Sequence, residues 1–241
     1  VDILRGVAER LNINVVASTG FFAQLNGMPF YWRFMDVEKF EERMIREITD
    51  GAEPNKVKCG VIRVAIGEAV LRERGEKAFR AAARVSKKLG VAISVFTRDG
   101  WLDEYPAPLQ ALDIMLKEGA DPAKIYVGHL EHIEGNFPML LQVAERGCYI
   151  TFDIVGRHKK LWDPIRVAMV SGLVAAGYGN RIILSMDHQG AWVPERPPIY
   201  KEFATSYMDL YNFLPELRHA GLTDEQIRTI LVDNPRNLLT F

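Results

Sequence analysis

Short apolar runs rich in β-branched residues alternate with amphipathic segments along the chain, and this alternation most constrains what it can fold into. Six runs read as strands: Ile13–Thr19, Val57–Ile66, Val91–Thr97, Ile125–Gly128, Cys148–Ile154 and Arg181–Asp187. Runs this short and this uniformly apolar suit strands buried on both faces. Between them, apolar spacing predicts helices over Val37–Asp50, Gly75–Leu89, Ala107–Glu118, Asn136–Arg146 and Pro164–Ala176. Several of these end at a glycine (Gly90, Gly147, Gly177), the usual helix stop. Strands alternating with helices across short connections mean parallel β/α units.

A helix over Asp2–Leu11 precedes the first strand. Asp209–His219 is a further helix. Thr223 and Gln226 form a capping box for the next one, and Asn234-Pro235 reads as an N-cap with proline at the first helical position. Six units fit either an open doubly wound sheet or a barrel whose first two β/α units lie upstream of Val1. A chain of 241 residues can bury one substantial core, so 1–241 reads as a single domain.

A net charge of −1 argues against a nucleic-acid or anionic-membrane surface as the main partner. No apolar run approaches the roughly 18 residues needed to span a bilayer, and no secretion signal is visible. Cys59 and Cys148 lack Cys-x-x-Cys spacing and read as buried, reduced thiols, so a cytoplasmic protein is expected.

Chemistry in parallel α/β folds collects at the C-terminal ends of strands. The last strand ends in Asp187-His188, which makes Asp187 the first candidate, with a loop-capping aspartate as the alternative. Two loops are rich in rings: Gly20–Asp36, with Trp32 among six aromatics, and Gln189–Ser206, with Trp192 and Tyr200. They suit an apolar pocket or a covering for the rim.

Several stretches together resemble the phosphotriesterase-like family of the amidohydrolase superfamily. They are Val15–Gly20, Lys58–Ala65, Val127-Gly128-His129, Ile183–Asp187 and Ile230–Pro235, in family order. The resemblance implies an α/β fold of the TIM (β/α)₈ barrel type, with six of the eight units visible and the first two strands upstream. It also implies one or two divalent metals, usually zinc, at the C-terminal rim. The family's ligands are a first-strand His-x-His pair, a fourth-strand lysine or glutamate, histidines on the fifth and sixth strands, and an eighth-strand aspartate. Imidazole and carboxylate suit zinc, which lowers the pKa of bound water to about 7.

Carried over residue by residue, the sixth-strand histidine is His129 and the eighth-strand aspartate is Asp187, the two expected metal ligands. The fourth-strand position is Arg63 and the fifth is Phe96, neither of which can ligate zinc. His132 stands where the family has an aspartate that helps to move protons. Asp187, Arg63 and His132 are therefore the expected catalytic residues. An arginine at a barrel mouth must be paired or must bind an anion; Asp187, Asp153 or a ligand could serve Arg63.

Two functions follow. One is a metal-dependent hydrolase of the phosphotriesterase and lactonase kind, with an altered, mononuclear centre completed by upstream histidines. In it, zinc-activated water attacks a small-molecule ester, lactone or organophosphate-like substrate. The other is a family member without a working metal centre, which binds an anionic ligand through Arg63 or acts as a partner protein. A homodimer is the expected assembly in either case.

Overall fold

Three of the apolar runs pair in parallel in the first part of the chain. They are β1 (Ser18–Phe21), β2 (Val61–Ala65) and β3 (Ala92–Phe96), in register Ser18 to Val61 and Val61 to Ala92. The computed structural model describes residues 2–21, 28–66, 73–97, 107–132, 137–157, 159–187 and 207–241. These fall into two units: Val1–Tyr126 with Leu239–Phe241, and Val127–Leu238.

In the first unit, α1 (Asp2–Leu11), α2 (Val37–Arg46), α3 (Glu73–Leu89) and α4 (Ala107–Lys117) accompany these strands. Phe40 and Met44 of α2, Phe79, Ala82 and Val85 of α3, and Ile62 and Val64 of β2 are almost fully buried. Burial of each large apolar side chain contributes about 1.5–3 kcal/mol before entropy is counted. Glu118 joins the outer helices by accepting from Arg80 at 2.7 Å and from Arg84 at 2.8 Å, and Arg84 also reaches Glu41 at 2.9 Å.

The second unit carries the end of β4 (Ile125–Gly128), then α5 (Phe137–Glu145), β5 (Tyr149–Phe152), α6 (Lys159–Ala175), β6 (Ile182–Leu184) and α7 (Tyr207–His219). Two short helices, α8 (Asp224–Arg228) and α9 (Asn234–Leu239), close it. β4, β5 and β6 are neighbours in chain order, and β5 pairs with β6 in parallel, Ile150 opposite Ile182. All four residues of β5 are buried, as a strand covered on both faces requires.

Four local expectations are corrected. The first strand runs over Ser18–Phe21, not Ile13–Thr19: Ile13, Val15 and Val16 are 46%, 48% and 52% exposed. Gly20, where the aromatic loop is expected to begin, lies inside β1, and glycine is needed there because the Arg63 carbonyl lies where a Cβ would sit. The helix expected over Pro164–Ala176 begins at Lys159 and runs to Ala175. Asn234 is helical and buried, and its amide donates to the carbonyls of Gly179 at 3.0 Å and Ile182 at 2.7 Å. It ties the C-terminal helices to the start of β6 and does not cap α9. The Thr223–Gln226 capping box forms as read.

Candidate active site

The ends of β4, β5 and β6 bring three side chains of the second unit together. His129 follows β4, Asp153 follows β5, and Asp187 lies three residues beyond β6. His129 Nδ1 is 2.7 Å from Asp153 Oδ1, while its Nε2 faces Asp187 Oδ2 at 3.8 Å. The Asp153 carboxylate lies against Nδ1, and Nε2 is the ring nitrogen turned towards Asp187. His129 is buried, and its backbone N–H also donates to Asp153 at 3.1 Å.

Local backbone chemistry sets this geometry. His129 (φ +63°) and Asp187 (φ +43°) are both left-handed, a conformation that non-glycine residues seldom adopt and that marks constrained sites. Gly128 is required beside His129, since a Cβ there would collide with Asp153 Oδ2.

Glu131 sits behind the histidine, 2% exposed. Its Oε1 accepts the backbone N–H groups of Asp153 at 2.6 Å and Ile154 at 2.9 Å, so it holds the end of β5. Burial, and then the neighbouring Asp153 charge, push its carboxyl up to about 8. Arg157, in the turn between β5 and α6, donates from Nη2 to Asp187 Oδ2 at 2.7 Å.

Neither Glu131 nor Arg157 stands out in the sequence. The available signals were faint: an acid two residues after His129, and a Gly-Arg pair in a strand-to-helix turn.

In the first unit, Arg63 lies in β2 with its guanidinium 4.9 Å from the centroid of the Phe96 ring and 3.4 Å from Ser94 Oγ. The two residues, expected at the family's fourth- and fifth-strand ligand positions, thus pack against each other through a cation–π contact. His132 ends a short 3₁₀ turn, Leu130–His132, and its side chain lies outside what is described. His188 and the loop with Trp192 and Tyr200 also lie outside the described residues, as does Phe22 of the first aromatic loop. Among the described residues of that loop, Phe21 and Trp32 pack together with ring centroids 4.9 Å apart, while Phe30, Tyr31 and Phe34 are exposed.

Residues 1–239 match the sequence profile of the phosphotriesterase family. The chain belongs to that family. It is 26% identical over 245 residues to N-acetyltaurine hydrolase of Dictyostelium discoideum, an alignment covering 98% of this chain and 64% of that protein. It is 26% identical to the aryldialkylphosphatase of Saccharolobus solfataricus, covering all of this chain and 76% of the relative. The organophosphorus hydrolase from Deinococcus radiodurans superposes with a TM-score of 0.87 at 28% identity, covering 98% and 74% of the two chains. The chain therefore spans about two thirds to three quarters of the length of these relatives. Its fold is α/β, a parallel six-stranded sheet with helices, and its structural neighbours are TIM barrels of the phosphotriesterase kind.

Enzymes of this family use divalent metals. The described residues fit part of such a centre. His129, with Asp153 on its far nitrogen, is arranged as a carboxylate–histidine–metal triad, and a ligating aspartate is itself ordinarily hydrogen-bonded, as Asp187 is to Arg157. Among the described residues, no group of three or more His, Cys, Asp or Glu side chains could hold a metal ion.

Proposed function

We propose that this phosphotriesterase-family chain is a hydrolase of small-molecule esters, lactones or phosphoesters. It works with one divalent cation, zinc by donor type, held in part by His129 and Asp187. The observation that carries this reading is the His129 Nε2–Asp187 Oδ2 separation of 3.8 Å, with Asp153 fixing the opposite nitrogen. Two donors this close, one imidazole and one carboxylate, match zinc chemistry. Bound there, the cation would supply a water acidic enough to attack near neutral pH.

The chain's own residues do the rest. Asp153 holds the His129 tautomer. Asp187, kept in place by Arg157, takes up the proton released as water attacks. His132, at the position of the family's proton-moving aspartate, is the proposed next carrier.

The relatives' names justify three test substrates: a lactone, an organophosphate ester and an N-acyl amide such as N-acetyltaurine. Purified protein should carry close to one zinc per chain and hydrolyse at least one of them. His129→Ala and Asp187→Ala should each lower kcat/KM by about 100-fold and deplete the zinc. A wild type free of stoichiometric metal, or full turnover in Asp187→Ala, sinks the reading.

A further inference from the structure

Arg157 holds Asp187, yet Arg157 sits in a four-residue turn, and something must hold the turn. Asp163 and Arg166, one helical turn apart on α6, face it. Arg166 is 1% exposed. Its Nη1 lies 2.5 Å from Asp163 Oδ1 and donates to the Arg157 carbonyl at 3.0 Å. Asp163 Oδ1 accepts the Gly156 N–H at 3.2 Å. The remaining amides of the turn are also engaged: Val155 donates to the Ser185 carbonyl and Arg157 to the Ile154 carbonyl, each at 3.1 Å.

A buried arginine is costly to desolvate, and a paired one is often no more stabilising than an apolar core residue of similar volume. Here the pair grips the chain on either side of the Gly156–Arg157 peptide bond, through the N–H of Gly156 before it and the C=O of Arg157 after it. Arg157, the second of these two residues, carries the side chain which reaches Asp187.

We infer that the Asp163–Arg166 ion pair is a positioning device: it clamps the Gly156-Arg157 pair of residues from both sides so that Arg157 meets Asp187. The catalytic consequence rests on the hydrolase reading above; the clamp itself does not. Neither Asp163 nor Arg166 acts on substrate, and both act through Arg157.

The experiment compares Arg166→Met, Arg166→Lys, Asp163→Asn, Arg157→Met and the Arg157→Met/Arg166→Met double variant in the full chain. Three quantities are read: kcat and KM, melting temperature, and NMR exchange of the Arg157 guanidinium protons. Arg166→Met should release the Arg157 signal to fast exchange while the protein remains folded. It should also lower kcat by about tenfold with little change in KM. Asp163→Asn should follow it in direction. Arg166→Lys should recover part of the loss, because an ammonium can reach one of the two partners. The double variant should be no worse than Arg157→Met alone, since both lie on one line of action.

Slow, protected Arg157 protons in folded Arg166→Met overturn the inference, and so do fully additive losses in the double variant. A wild type with no hydrolytic activity would refute the proposed function instead, and the Arg157 signal would still decide whether the clamp exists.

Discussion

At the scale of single residues, the site depends on carboxyl groups with different duties. Asp153 lies 2.7 Å from His129 Nδ1 and orients the ring. Asp153→Asn should keep the fold but lower zinc affinity and kcat/KM by about 10–100-fold, as measured by chelator competition and steady-state kinetics. Glu131 is a different case, a buried carboxyl pushed up to about 8 from an ordinary 4.5. A folded-state pKa raised in an acid means that the folded chain binds the proton more tightly than the unfolded one. Its contribution is therefore fully present below the unfolded value and fades as pH climbs through the folded one. Glu131→Gln keeps an acceptor for the Asp153 and Ile154 amides and removes this titration. Relative to wild type, its urea-unfolding free energy should gain with pH between 4.5 and about 8 and stay level below 4.5. The gain is bounded by about 1.4 kcal/mol per pH unit, and a constant difference across that range would contradict it.

At the scale of elements, the site is a set of strand ends held by the turns that follow them. The β5–α6 turn needs Gly156 at φ +87°, and a Cβ there would run into the Asp209 side chain. Gly156→Ala should cost about 2 kcal/mol or more, read as a lowered urea midpoint, and should loosen the Arg157–Asp187 contact. Helix and strand positions followed from apolar spacing because burial of these faces dominates local preference. The errors arose where burial was not the deciding term. Ile13–Ala17 has strand-like residues, but nearly all its side chains are exposed, and the ladder begins with the Gly60 N–H donating to the Ala17 carbonyl at 2.9 Å. Asn234-Pro235 looks like a helix start, but tertiary hydrogen bonds to Gly179 and Ile182 claim the asparagine and continue the helix through it.

At the scale of the whole molecule, metal and fold should be linked. If zinc binds the native chain and not the unfolded one, zinc at about 100 times its Kd should add about 2.7 kcal/mol to unfolding, seen as a rise in melting temperature. Asp187→Ala should abolish the rise, and an unchanged melting temperature for wild type would count against a native zinc site. The sequence by itself determined the β/α alternation, the family, and the two residues at strand ends, His129 and Asp187, because short apolar strands and their C-terminal residues leave a pattern along the chain. Only the tertiary structure decided what surrounds them. Asp153 on the histidine, Glu131 on the Asp153 amide, and Arg157 on Asp187 are partnerships between residues 22 to 30 apart in sequence. Long-range hydrogen bonds and burial make those partnerships, and neither has a period that can be read along a chain.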